Sequence, residues 1–164
     1  MKSATRKKFI DSYDKYAIPI YRFVYLRVGN EQNAEDITSE VFLRCLGYLE
    51  GGHIVDNYRA FLYQTARNLV VDFYRQNGRI YNVPLEDAKQ LDLSISIDKP
   101  IISKIEVESA LRLLKDSYHE AIILYYLEDL SISEISQILE RNEGAVRVII
   151  HRALSALKQA ISKQ

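Results

Sequence analysis

The sequence contains little of what would mark a secreted or membrane-inserted protein. Its one cysteine, Cys45, cannot form an internal disulfide. No apolar run approaches the roughly 20 residues that a membrane-spanning helix needs. No long apolar segment follows the basic N-terminus, which argues against a signal peptide. The sequence therefore predicts a soluble, cytoplasmic protein without membrane insertion.

The arrangements that catalysis or metal binding would need are also missing from the sequence. His53, His119 and His151 are scattered and lack metal-ligand spacing. No glycine-rich loop is present to cradle a phosphate. Cys45 lies on an apolar helical stripe, which is typical of a core residue rather than a nucleophile. We therefore expect a protein that is not an enzyme and that uses no cofactor or metal.

Charge is balanced overall but unevenly distributed. The chain has 22 basic and 22 acidic residues, and this zero net charge argues mildly against non-specific nucleic-acid binding. Residues 141–164 carry five Lys or Arg against one acidic residue, whereas residues 105–140 carry two against eight. Basic charge is thus concentrated in the C-terminal segment.

Helical periodicity dominates the chain and predicts an all-α fold. Two small helical domains are expected, at residues 1–79 and 104–164, and the second ends in a helix-turn-helix. Residues 80–103 have no sustained period and contain two prolines, which is typical of a linker. Within that linker, apolar and polar residues alternate from Leu91 to Ile97, so a β-strand there is an alternative prediction.

Local signals predict where two helices of the first domain begin or bend. Pro19 is expected to kink or restart the first helix, because proline lacks the N–H that an interior turn needs. Asn33 is expected to cap the second helix, which carries acidic residues in its first turn. On the helix that follows, the buried stripe is expected to include Phe61 and Phe73, with Val71 on the other side.

The helix-turn-helix is predicted over residues 131–139 and 143–161. Ser131 and Glu134 have the spacing of a capping box, and Asn142 is a predicted N-cap of the second helix. Such a pair commonly places its second helix in the major groove of DNA. A generic helical hairpin with a solvated basic face fits the same pattern.

Three stretches, in this order, resemble the extracytoplasmic-function sigma factors, the small group-four specificity subunits of bacterial RNA polymerase. They are Ala34–Arg44, Tyr58–Asp72 and Glu143–Ala153. The resemblance implies that the first domain resembles sigma region two and that the second resembles region four. It also implies binding to core RNA polymerase and to promoter DNA, both duplex and melted non-template strand.

The resemblance further assigns roles to individual residues. Polymerase binding is implied for Asp36, Ser39, Glu40 and Phe42. Minus-ten recognition and melting are implied for Tyr58, Arg59, Gln64, Arg67, Asn68 and Arg75. Minus-thirty-five recognition is implied for Asn142, Gly144, Arg147, Val148, His151 and Arg152. From the sequence alone, Asp36 and Glu40 are better explained as solvated surface charges. Tyr58, Phe61 and Tyr63 also fit core packing, and core packing is the favoured interpretation for Phe61.

The chain departs from the family pattern at a few positions. Glu140 stands where a turn glycine is common, and Ile149 stands where a second arginine is frequent. If Glu140 adopts a left-handed conformation, it costs about 1 kcal/mol relative to glycine. Because no further domain follows Gln164, we expect control to come from another protein, an anti-sigma factor.

The predicted function is that of a sigma factor that directs core polymerase to promoters and initiates transcription. Two alternative functions also fit the sequence. A free-standing helix-turn-helix regulator would bind duplex DNA without polymerase. A degenerate sigma-like protein would bind polymerase but recognise promoters weakly, which zero net charge and Ile149 would suit.

Overall fold

The structure is a computed structural model that describes residues 1–78 and 109–162. The predicted linker at residues 80–103 and the alternative strand at Leu91–Ile97 lie outside these ranges. Every regular element within the two ranges is helical, which confirms the predicted all-α class. The chain divides into two compact units, Met1–Ile80 and Tyr81–Gln164.

The first unit is a bundle of three helices, each of which packs against the other two. Helix α1 spans Ser3–Val28, α2 spans Glu31–Glu50 and α3 spans Tyr58–Gln76. In the core, the rings of Phe23 and Tyr63 meet edge to face with centroids 5.6 Å apart. Around them lie fully buried side chains from all three helices: Ile20, Val24, Val41, Cys45, Leu62 and Ala66.

Pro19 does not interrupt α1, so the predicted restart of the helix there is wrong, whereas the predicted kink stays a prediction. The helix is continuous from Ser3 to Val28 with Pro19 inside it. The proline removes one hydrogen bond, but packing of α1 against both neighbouring helices holds the turn. The helix ends at Gly29, which adopts a left-handed conformation with φ of 71°.

The N-cap of helix α2 lies three residues before the predicted one, so the expectation for Asn33 was wrong. Asn30 is the N-cap, and its side-chain oxygen accepts a hydrogen bond from the Asn33 backbone N–H at 2.9 Å. Both asparagines suit an N-cap. The left-handed Gly29 ends α1 immediately before Asn30 and allows the earlier start.

Helix α3 buries a wider arc than a single apolar stripe. Val71, expected on the outer side, is buried, whereas Phe61 and Phe73 are only half-buried. Because α3 packs against both α1 and α2, two faces of the helix are covered. At its C-terminal end, the Tyr74 hydroxyl donates a hydrogen bond to the carbonyl of Arg27 and ties α3 to the end of α1.

The second unit is described from residue 109, where a helical turn ends at residue 111. Helix α4 spans Asp116–Ile122 and continues into a π-helical turn at Ile123–Leu127. Helices α5, Ile132–Leu139, and α6, Glu143–Ser162, form the predicted helix-turn-helix. Both α4 and α5 pack against α6.

The core of this unit is aliphatic. Isoleucine and leucine side chains from the π-helical turn, α5 and α6 are fully buried there: Ile123, Leu124, Ile135, Ile138, Ile150 and Leu157. This burial matches the predicted apolar faces of the helix-turn-helix. Among the described helices of both units, none is long and apolar enough to cross a membrane.

Candidate nucleic-acid and polymerase interfaces

The start of α3 is fixed by a side-chain cap. The side-chain oxygen of Asn57 accepts a hydrogen bond from the Ala60 backbone N–H at 3.0 Å, and the Asn57 carbonyl accepts one from the Phe61 N–H at 3.0 Å. Asparagine is among the best N-cap residues because its short side chain reaches the first free N–H groups. The loop that leads into α3 is therefore anchored at its C-terminal end.

The residues predicted for minus-ten recognition differ in their exposure. Asn68 and Arg75 are exposed on α3, as a direct contact with DNA requires. The other four side chains are half-buried and make contacts within the protein or line its surface clefts: Tyr58, Arg59, Gln64 and Arg67. Helix α3 thus exposes the Asn68 amide and the Arg75 guanidinium to solvent, and the other four predicted residues are less exposed. Their roles remain predictions.

An aromatic cluster joins the end of α2 to the start of α3. The ring of Tyr48 stacks on that of His53 with centroids 4.4 Å apart and planes inclined by 20°. Tyr48 also contacts Phe61, with ring centroids 5.1 Å apart. Tyr48 is 40% exposed and did not enter the sequence-based site. The available signal was an aromatic residue off the apolar stripe of α2, three residues before Gly51-Gly52.

Two groups near this cluster resist ionisation. Burial raises the pKa of the Tyr58 hydroxyl, and Cys45 raises it further. Burial also raises the pKa of the Cys45 thiol to about 11, which agrees with its predicted place in the core. Both groups are protonated at neutral pH, as free tyrosine and cysteine largely are, and burial makes their ionisation harder still, so the Tyr58 hydroxyl can donate a hydrogen bond. Within residues 1–78 and 109–162, no group of three or more metal-ligating side chains occurs.

The predicted polymerase-binding residues of α2 divide into two sets. Asp36 and Ser39 are exposed, whereas Phe42 is buried with its ring edge against Tyr13 at a centroid distance of 4.8 Å. Glu40 accepts a hydrogen bond from Arg44 one turn on, at 3.0 Å.

A surface cleft of about 350 Å³ separates α1 from this part of α2. Ser39 and Phe42 both line it, together with Leu43, whose side chain is 62% exposed. Leu43 was absent from the sequence-based site. An exposed leucine beside exposed acidic and hydroxyl groups gives this face the mixed character of a protein-binding surface.

The caps of the helix-turn-helix are those that the sequence predicted. The Ser131 hydroxyl accepts a hydrogen bond from the Glu134 N–H at 3.1 Å, and the Glu134 carboxylate accepts one from the Ser131 N–H at 3.2 Å. This reciprocal pair is the predicted capping box. The side-chain oxygen of Asn142 accepts a hydrogen bond from the Ala145 N–H at 2.7 Å and so caps α6.

The turn between α5 and α6 contains a left-handed residue that is not glycine. Glu140 has φ of 55° and ψ of 43°, which confirms the condition anticipated from the sequence. The Ser136 hydroxyl donates to the Arg141 carbonyl and the Arg141 N–H bonds to the Ser136 carbonyl at 3.1 Å, so the turn is held from both sides. These bonds keep the turn closed despite the strain at Glu140.

Replacing Glu140 by glycine is expected to stabilise the second unit by about 1 kcal/mol, because glycine adopts the left-handed conformation without steric cost. Thermal unfolding of the two proteins measures the difference. Gln137→Gly is the matched control: Gln137 is exposed inside α5, where glycine should destabilise by about 1 kcal/mol. A lower stability for Glu140→Gly would contradict the assignment of strain.

Helix α6 distributes its predicted DNA-binding residues around its surface. His151 and Arg152 are exposed, Arg147 is half-buried and Asn142 is exposed at the cap. Arg147 and His151 are four residues apart and share a face, whereas Arg152 lies about 140° round the helix from Arg147. Gly144 and Val148 are buried in this structure. Ile149, at the position where the family often has arginine, is 4% exposed and belongs to the core.

Two family descriptions match the chain in succession. Sigma-70 region 2 matches residues 12–80, and Sigma-70 region 4 matches residues 104–157. The first match contains α2, α3 and the loop between them. The second contains α4, α5 and most of α6. Each match falls within one of the two compact units.

Individual relatives are ECF RNA polymerase sigma factors. The chain is 32% identical over 157 residues to the ECF RNA polymerase sigma factor BldN of Streptomyces coelicolor, an alignment that covers 91% of this chain and 58% of BldN. It is 29% identical over 173 residues to the ECF RNA polymerase sigma factor SigW of Bacillus subtilis, covering 98% of this chain and 92% of SigW. The chain therefore spans somewhat over half of one relative and nearly all of the other.

Solved structures share the fold. The sigma factor RpoE in complex with the anti-sigma factor NepR from Bartonella quintana has a TM-score of 0.72 at 19% identity, covering 95% of this chain and 98% of RpoE. CnrH in complex with the cytosolic domain of CnrY has a TM-score of 0.71 at 19% identity, covering 97% and 90%. With sigma-70 regions 2 and 4 matched in order and relatives aligned along its length, the chain belongs to the extracytoplasmic-function sigma factors.

Proposed function

We propose that the chain directs bacterial core RNA polymerase to specific promoters and initiates transcription there. The observation that carries the proposal is the order of its two units, one matching sigma-70 region 2 and the next matching region 4. A free-standing helix-turn-helix regulator would need only the second. The first unit, with its exposed amide and arginine on α3, is what a promoter-melting protein requires.

In this proposal, the first unit has two working faces. The face of α2 with Asp36, Ser39 and Glu40 binds polymerase, and Phe42 supports it from the cleft below. Helix α3 and the preceding loop bind the minus-ten element and hold the melted non-template strand. The Asn68 amide forms hydrogen bonds with an unpaired base, and the positive charge of Arg75 attracts the phosphate backbone of the DNA strand.

The second unit recognises the minus-thirty-five element through α6. Asn142 fixes the N-terminus of the helix, and Arg147 and His151 project from successive turns. A recognition helix reads bases chiefly through residues near its N-terminus, and arginine pairs with guanine O6 and N7. Arg152 lies about 140° round the helix from Arg147, and in this proposal it binds a phosphate of the DNA backbone.

An anti-sigma factor is the proposed regulatory partner. The structural neighbours RpoE and CnrH were each solved with a partner, the anti-sigma factor NepR and the cytosolic domain of CnrY. The mixed apolar and polar face of α2 is a surface that such a partner would compete for. Binding there would exclude polymerase by occupying the same residues.

Reconstitution with core polymerase tests the function. The purified chain is mixed with core enzyme, resolved by gel filtration and assayed by run-off transcription on a promoter library. Binding with new transcripts is expected. Binding without transcripts on a library that spans many promoters would favour a degenerate sigma-like protein. Absence of binding with retained affinity for duplex DNA would favour a free-standing regulator.

Asn68→Ala is expected to impair open-complex formation while leaving polymerase binding unchanged, because the exposed amide is proposed to contact a base rather than the polymerase. Removing one base interaction costs about 1–3 kcal/mol. Permanganate footprinting of unpaired thymines measures melting, and gel filtration measures assembly. Gln159→Ala, which removes an exposed amide from the C-terminal part of α6, is the control. Equal losses in melting and assembly would remove Asn68 from the DNA interface.

A further inference from the structure

The end of the first unit where α1 begins carries a cluster of exposed basic side chains. Residues 1–10 contain four basic residues and no acidic residue. All four side chains are exposed: Lys2, Arg6, Lys7 and Lys8. Positive charge near the start of a helix opposes the helix dipole, and α1 also lacks an acidic residue in its first turn. The stability of α1 therefore does not explain these charges.

Exposed aliphatic side chains lie among the charges. Ile54, in the loop between α2 and α3, is 81% exposed, and Met1 is 52% exposed. Both line a surface cleft of about 500 Å³ together with Lys2 and Lys8. A second cleft, of about 460 Å³, joins Met1 to Arg6. These aliphatic and cationic groups therefore form one surface, the basic tip, defined by six residues: Met1, Lys2, Arg6, Lys7, Lys8 and Ile54.

The basic side chains surround the start of α1 and do not lie along one side of it. Successive helical residues are rotated by about 100°, so Arg6, Lys7 and Lys8 project in three directions. Helical side chains also lean toward the helix N-terminus, and Lys8 is only about 8 Å along the axis from Ser3. All of these long side chains can therefore reach a broad flat surface that meets the helix end-on. A DNA duplex beside α1 would contact only those on one side.

The composition of the tip favours a partner that is both anionic and apolar. Among the described residues that line the two clefts, Glu50 is the one acidic side chain. A nucleic-acid backbone attracts the cations but offers nothing to an exposed isoleucine or methionine. An anionic bilayer accommodates both, because aliphatic side chains enter the boundary with the acyl chains while lysine and arginine reach the lipid phosphates.

We propose that the basic tip docks the free chain on an anionic lipid bilayer. Met1 and Ile54 enter the boundary between headgroups and acyl chains, and the basic side chains bind lipid phosphates. This contact is confined to the membrane surface and needs no spanning helix. Ile54 lies in the loop that is proposed to bind the minus-ten element, so the bilayer and promoter DNA compete for the chain. Docking itself does not depend on the proposed function.

Flotation of the full chain with lipid vesicles tests the proposal. One set of vesicles contains phosphatidylcholine alone, and the other contains equal parts of phosphatidylcholine and the anionic lipid phosphatidylglycerol. The wild-type chain is expected to float with the mixed vesicles and to stay unbound with phosphatidylcholine. The bound fraction is expected to fall as the salt concentration rises, because salt screens the attraction. Equal binding to the two sets would overturn the proposal.

A charge variant, Arg6→Gln/Lys7→Gln/Lys8→Gln, tests the contribution of the cations. Its affinity for the mixed vesicles is expected to fall roughly fivefold for each basic residue removed, which is about 100-fold in total. The matched control loses the same net charge from exposed positions outside the tip and is expected to bind nearly as wild type does: Lys15→Gln/Arg112→Gln/Lys158→Gln.

Ile54→Ser tests the aliphatic contribution. Its affinity for the mixed vesicles is expected to fall about tenfold, which corresponds to the lower end of the range for burying an isoleucine side chain. Ile18→Ser is the matched control, because Ile18 is 75% exposed on α1 and lies outside the tip. Both substitutions are at exposed positions, so both proteins are expected to fold.

Equal binding to the mixed vesicles by the two members of either pair would overturn the proposal. Affinity for a duplex oligonucleotide without a promoter sequence tests the alternative partner. If wild type binds neither set of vesicles and the charge variant alone loses affinity for the duplex, the tip is a nucleic-acid surface and the proposal is wrong. Transcription by the wild-type holoenzyme is a separate measurement, and its absence would overturn the proposed function without affecting docking.

Discussion

Phe23→Ala is expected to lower the free energy of unfolding of the N-terminal unit by about 3–5 kcal/mol. Phe23 is completely buried, and its ring meets the edge of Tyr63 where α1 packs against α3. Truncation removes the ring and leaves a cavity that the three helices cannot fill. Single domains are stable by only about 5–15 kcal/mol, so the loss takes a large share of the total.

Hydrogen-exchange mass spectrometry measures this loss, because peptides from residues 1–78 report on the first unit separately from the second. Ile18→Ala is the matched control on the same helix, since Ile18 is 75% exposed. Its effect is expected to stay within about 0.5 kcal/mol. Equal protection in the two variants would show that the core of the first unit does not depend on Phe23.

Arg147→Ala is expected to weaken recognition of the upstream promoter element by about 1–3 kcal/mol. Arg147 projects from the second turn of α6, behind the Asn142 cap, where a recognition helix reaches base edges. Removing a bidentate interaction with guanine should relax specificity at one base pair rather than weaken all sequences equally.

Gel-shift titration of the holoenzyme on matched promoters, with the upstream element intact or scrambled, measures the effect. Lys158→Ala is the control, because Lys158 is exposed on the same helix about three turns further on. The Arg147 variant should lose its preference for the intact element, and the control should keep it. A loss of equal size on both promoters would assign Arg147 to the backbone instead.

The helix-turn-helix was predictable from the sequence because its determinants are local. Ser131 and Glu134 are three residues apart, and each satisfies the backbone of the other. Asn142 caps α6 through the same short-range geometry. The strain at Glu140 follows from the shape of the turn that joins two capped helices. No interaction from outside this segment was needed to predict these features.

The errors arose where tertiary packing or neighbouring turns decided the outcome. Pro19 lies inside a continuous α1, because helices on two sides support the turn that lacks a hydrogen bond. Val71 is buried because α3 packs against two helices and is covered on more than one face. A prediction based on one hydrophobic stripe assumes that only one face is covered. Asn30 displaced Asn33 as the cap because the preceding helix ended at Gly29.

The candidate site was predictable in its residue types but not in its exposure. Asn68 and Arg75 project into solvent, while Gln64 and Arg67, on the same helix, are half-buried. Tyr48 and Leu43 were missed: Tyr48 stands off the apolar stripe of α2, but its position there does not reveal its contacts with His53 and Phe61, and Leu43 has no sequence signature of its own. The cleft that joins α1 to the loop before α3 depends on residues about 45 positions apart in the chain, so only the fold brings them together.

The protonated, enclosed thiol of Cys45 has a practical consequence. Maleimides and similar reagents attack the thiolate, and a thiol with a pKa of about 11 and no exposed surface offers almost none at neutral pH. Since Cys45 is the only cysteine of the chain, the unmodified sequence is expected to react very little with thiol-directed dyes. One cysteine introduced at an exposed position of each unit would together carry a donor dye and an acceptor dye, without labelling of Cys45. Distances between the two units could then be followed by fluorescence as polymerase and promoter bind.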